Sequence, residues 1–179
     1  MANLSHLSEG EMKEILMLQE RLSLLDTQHK AKDSFMEYIR YIWPGFIEGD
    51  HHRIIAEKLT RVAKGELKRL IVNMPPRHTK SEFASIYFPS WVMGLNPDMK
   101  IMQTTHTADL SINFGRKVRN LMDSDEYSNI FSKVSLASDS KSAGKWQTSQ
   151  GGEYFAAGVG GAIAGRGADL LIIDDPHSE

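Results

Sequence analysis

Cysteine is missing from all 179 residues. That excludes disulfides and thiolate metal sites, and it fits a reducing compartment. No apolar run approaches the roughly 20 residues that a membrane helix needs. Glu9, Glu11 and Glu14 stand where a signal peptide would carry a basic segment and an apolar core, so the chain reads as soluble and intracellular. Neither sign of charge is in excess. The formal net charge of −2 gives no bulk attraction to nucleic acid and confines any such contact to local basic patches. No internal repeat is present. What remains is an ordinary globular composition, 41% hydrophobic and 25% charged, long enough for one domain with its own core.

The most informative stretch is Arg69-Leu70-Ile71-Val72-Asn73-Met74-Pro75-Pro76-Arg77-His78-Thr79-Lys80-Ser81. A β-prone apolar run breaks at two prolines and closes on Lys-Ser entering an apolar helical segment. Strand, tight basic loop and helix in that order form the layout of a phosphate-binding loop, in which backbone N–H groups and a helix N-terminus face an anion. In such a loop Lys80 reaches the terminal phosphates and the Ser81 hydroxyl can ligate Mg²⁺. Met74 and Thr79 occupy the places of the two glycines in G-x-x-x-x-G-K-[ST]. Near the other end, Leu170-Leu171-Ile172-Ile173 suits a strand buried in a parallel sheet, with Asp174-Asp175-Pro176 emerging at its C-terminal end. This is the Walker B pattern, with Asp174 on the metal and Asp175 orienting water. A buried strand ending in an Asp-Asp-Pro turn is the plainer alternative.

Met74-Pro75-Pro76-Arg77-His78-Thr79-Lys80-Ser81-Glu82, the Gly158–Gly167 run and Leu171-Ile172-Ile173-Asp174-Asp175-Pro176 together resemble the large terminase subunit of tailed bacteriophages. The resemblance covers roughly residues 35–179. It implies the ATPase part of a viral DNA-packaging motor: a three-layer α/β P-loop NTPase of the additional-strand type with a mostly parallel sheet. It also implies ATP and Mg²⁺ as cofactors. The expected partners are double-stranded DNA, a portal and a small terminase subunit, in a homo-oligomeric ring within the cytoplasm of an infected bacterium. The family chain is more than twice as long, with further strands and a nuclease domain, so the sequence reads as an incomplete N-terminal part. Its expected divisions are a helical segment over 1–48 and an ATPase core over 49–179.

The resemblance assigns nucleotide contacts to Pro76, Arg77, His78, Thr79, Lys80 and Ser81, with His52 or Arg53 near the adenine. Ser81 and Asp174 are the implied metal ligands. Asp175, Arg77 (in cis) and Arg166 (reaching a neighbouring subunit) are the implied catalytic residues. The family carries glycine where this chain has Thr79, which must either keep a negative φ in a reshaped loop or weaken binding. Asp175 is short where many such ATPases carry Glu, which makes Glu179 a second candidate.

Periodicity predicts an amphipathic helix over 8–28 with a Ser8–Glu11 capping box, and further helices over 33–43, from His51, over 81–93 with a kink at Pro89, and over 108–122. Strands are expected at 70–72 and 99–105, and a hairpin from Trp146-Gln147-Thr148 and Tyr154–Ala157 about Gly151-Gly152. Serine-rich 124–145 reads as a long mobile connection. Arg116, Lys117 and Arg119 form the clearest basic cluster: a solvated face, or a contact to DNA phosphates or a neighbouring subunit. A helicase-type ATPase, and a nucleotide-binding module inactive by itself, are the rival functions.

Overall fold

The computed structural model describes residues 8–139, 142–161, 163 and 165–177. Helix α1 (Glu9–Asp33) begins at the expected capping box: the Ser8 side chain accepts from Glu11 N–H, and the Glu11 carboxylate accepts from Ser8 N–H at 2.8 Å. It runs past the expected end, until Ser34 caps helix α2 (Phe35–Ile42). Most apolar residues of α1 stay exposed, Leu22 at 66% and Met17 at 62%, while Met12 and Ile15 are half-buried; only Ala31 is buried, where the Trp91 indole donates to its carbonyl at 2.8 Å. Helix α2 instead turns Phe35, Tyr38, Ile39 and Ile42 wholly into the core, as its pattern predicts.

Helix α3 (Asp50–Ala63) buries His52, Ile55, Ala56 and Leu59 and leaves Ile54 exposed. The segment after it departs from expectation. Leu70–Val72 forms no strand: no described strand pairs with it, and Ile71 is 87% exposed. Local β-propensity makes a strand only when a partner edge is supplied. Residues 81–93 also differ from one kinked α-helix. After Lys80 and Ser81 the chain makes a π-helical segment (Glu82–Tyr87), with Phe88 N–H bonding back to the Phe83 carbonyl, and then helix α4 (Phe88–Leu95). Pro89 lies in the first turn of α4, where a missing N–H is tolerated, so the irregularity is absorbed in the turn before it.

Strand β1 (Lys100–Thr105) leads to helix α5 (Ala108–Met122), capped by Thr107. The supposed mobile connection holds helix α6 (Asp125–Ile130), whose Tyr127 and Ile130, with Phe131 and Val134, are buried; residues 140–141 lie outside the described set. The hairpin forms as read: β2 (Lys145–Gln147) pairs antiparallel with β3 (Glu153–Gly158), and Gly151 takes φ +93° in the turn. Strand β4 (Leu170–Ile173) completes a mixed four-stranded sheet of order β2-β3-β1-β4, parallel at β3-β1 and β1-β4. Helix α5 packs on β1 and β3, and a Cβ added at Gly115 would lie 2.9 Å from the Tyr154 ring of β3 and 2.6 Å from the Ala143 carbonyl oxygen. Residues on both sides of position 48 share one hydrophobic core. Among the described residues no helix is long and apolar enough to cross a membrane.

Candidate functional site

β1 and β4 run parallel, so their C-terminal ends lie together, and the turn after β4 holds both carboxylates there. Asp174 N–H bonds to the Thr104 carbonyl at 3.0 Å and continues the ladder, which buries its side chain. Asp175 then turns outward with φ 43°, a conformation Asp tolerates, and its carbonyl accepts from His106 N–H at 3.1 Å. Lys80, in the first turn beyond the loop, meets both: Nζ lies 2.6 Å from Asp175 Oδ1 and 3.2 Å from Asp174 Oδ1. Partial burial disfavours the ammonium, but the two carboxylates outweigh it and hold the Lys80 pKa above its ordinary value.

The other Asp174 oxygen has a partner that sequence reasoning missed. Ser85 Oγ, fully buried in the π-helical segment, donates to Asp174 Oδ2 at 2.9 Å. Ser81, the expected metal ligand, is half-buried beside Lys80 and shows no hydrogen bond to either carboxylate. A hydroxyl one turn beyond Ser81 was the available signal.

The loop itself is strained. Arg77 and Thr79 both take positive φ, 63° and 61°, so Thr79 adopts the left-handed geometry that a glycine would occupy. Its hydroxyl donates to the His78 carbonyl at 2.6 Å and lies 2.7 Å from His52 Nε2. His52, expected near the adenine, is buried beneath the loop. Arg53, the alternative there, is held by Glu48 and Asp50. Glu48 also pairs with Arg40, and the two guanidinium groups push its carboxyl down to about 2. Pro76, Arg77 and His78 are exposed, and His78 Nδ1 lies 2.9 Å from the Pro76 carbonyl.

Comparison of the chain with family models, with curated proteins and with solved structures gives no match.

Arg166 is not at this site. Its guanidinium stacks 3.9 Å from the Phe155 ring centroid and lies 3.4 Å from Glu153. Glu153 pairs with Lys100 at the opposite end of the sheet from Asp174, a strand length of roughly 16 Å away. Glu179 lies outside the described residues. On α5, Arg116 and Lys117 are exposed, with Lys117 over the Phe114 ring. An open depression of about 430 Å³ between α2 and α3 is lined by Arg40, Arg53 and Arg61, which pair with Glu48 and Glu66, and no residue of the 74–81 loop lines it.

Proposed function

We propose that the chain binds ATP with Mg²⁺ at the 74–81 loop and is the ATPase part of a DNA-packaging motor of the terminase type. One observation carries the reading: Lys80 and the Asp174-Asp175 pair, far apart in sequence, converge within 3.2 Å at the C-terminal end of parallel strands. That is where open α/β sheets bind ligands. A parallel β3-β1-β4 core is compatible with the three-layer P-loop fold this reading requires.

The donor set suits the cofactors. Asp174, Ser81 and Ser85 present hard oxygens, and among the described residues no three His, Asp or Glu side chains group into a metal cage. Mg²⁺ is commonly held by one or two carboxylates with water and substrate phosphates completing its shell, and it would supply charge neutralisation at the phosphates. Lys80 would turn from the carboxylates to the β- and γ-phosphates, Asp174 and Ser81 would hold the metal, and Ser85 would fix the Asp174 carboxylate. Asp175 would orient water, and exposed Arg77 would swing in against developing charge. The α5 cluster would face DNA phosphates, and portal, small subunit and further copies of the chain would complete the motor.

The first test is binding of a fluorescent ATP analogue with Mg²⁺ to the protein and to Lys80→Ala, followed by phosphate release with and without DNA. Micromolar binding lost on substitution supports the reading; equal or absent binding in both overturns it. A nucleotide-binding module without turnover is the second reading, favoured by the 2.6 Å contact that ties Asp175 to Lys80. Binding without phosphate release would select it. DNA-stimulated turnover indifferent to a portal would select the helicase-type alternative.

A further inference from the structure

Thr79 has a β-branched side chain in a left-handed conformation, which is unfavourable unless its surroundings compensate. The compensation is visible. Gly49 N–H donates to His52 Nδ1 at 2.9 Å, so Nδ1 is the acceptor and the ring proton sits on Nε2. Nε2–H then faces Thr79 Oγ1 at 2.7 Å, and the Thr79 hydroxyl passes its own proton toward the His78 carbonyl at 2.6 Å. Every donor in this chain has one acceptor. The imidazole cannot tilt away, because Phe83 stacks on it at 5.1 Å and Phe46 meets it edge-on at 4.8 Å.

We propose that His52 is a positioning residue: through the Thr79 hydroxyl it holds the loop in a left-handed turn that would otherwise require glycine, and so sets where Lys80 begins its helix. Positions 52 and 79 are then interdependent. Threonine is workable at 79 because histidine stands at 52, and glycine at 79 would make that histidine dispensable. The link to nucleotide rests on the reading above; the link to loop geometry does not.

The test is a cycle of His52→Ala, Thr79→Gly and the double variant, with Thr79→Val and Thr79→Ser alongside. Two quantities are read: amide hydrogen exchange over residues 77–81, and affinity for the fluorescent ATP analogue with Mg²⁺. His52→Ala and Thr79→Val should each speed loop exchange about tenfold or more and weaken binding by a similar factor, as expected when one hydrogen bond to a strained residue is lost. Thr79→Ser, which keeps the hydroxyl, should leave loop exchange as in the wild type. Thr79→Gly should restore both quantities in the His52→Ala background. An equal effect of His52→Ala in the Thr and Thr79→Gly backgrounds would overturn the proposal, as would wild-type exchange in Thr79→Val, which leaves His52 and its ring contacts intact. Absence of nucleotide binding in the wild type would defeat the functional reading while leaving this one to be decided by the exchange rates.

Discussion

At the scale of single residues, the site is a set of charges that satisfy one another. Lys80 bridges a buried carboxylate and an exposed one, and Ser85 holds the buried one from its other side. Lys80→Ala should weaken nucleotide binding about 10- to 100-fold, the range expected for charge-assisted contacts to phosphate, as read by fluorescence titration. Ser85→Ala leaves Asp174 Oδ2 short of a donor and should cost about 1–2 kcal/mol in urea unfolding, while raising the Mg²⁺ concentration needed for half-maximal binding. Lys80 and the two aspartates were legible in the sequence because strand, loop and helix order reports their neighbourhood. Ser85 was not, since the register that turns it toward Asp174 belongs to a π-helical segment that no periodicity announces. Arg166 was read as reaching a neighbouring subunit; within the chain its guanidinium rests on the Phe155 ring and beside Glu153, contacts that its glycine-rich surroundings do not announce.

Among elements, those with a strong internal period were legible and those defined by a partner were not. α5 and the β2-β3 hairpin form where apolar spacing and turn glycines put them. Leu70–Val72 has the composition of a strand and lacks a ladder, while α6 is too short and too polar outside to stand out from its serines. The loop joins both cases: its place was evident, its hold on His52 was not. Burial, then neighbouring His51 and His78, pull the His52 pKa below its ordinary 6.5, against an opposing pull from Glu48. Below that value the unfolded chain takes up a proton before the folded one does. Stability should therefore rise with pH up to about 6.5 and fall as pH drops toward the lowered folded value. Urea midpoints for wild type and His52→Ala between about pH 5 and 7.5 check this, the variant losing its share of the slope.

At the scale of the whole molecule, one core unites the chain from Ala31 to Ile172. Phe35 is its centre, with the Phe83, Phe88 and Trp91 rings within 5.7 Å. Phe35→Ala should destabilise by about 3–5 kcal/mol in denaturant unfolding, with no allowance for collapse around so many rigid rings. The first two-thirds of α1 lie outside this core. Removing residues 8–24 should shift the unfolding free energy by less than about 1 kcal/mol, because the leucines lost are already in water. The spacing predicts an amphipathic helix there, but whether its apolar residues are covered depends on what else comes near, which the helix does not encode.

The Lys80–Asp175 contact spans 95 positions of sequence. Closing so long a loop costs about 4 kcal/mol in chain entropy, recovered only once β4 has docked against β1. β4 is the latest described strand in the chain, so during synthesis the loop, its helix and most of the core can be complete while the carboxylates are still inside the ribosome. In kinetic terms the candidate site depends on a contact of high sequence separation, so a refolding chain should regain its helical signal before it regains any affinity that depends on Asp174.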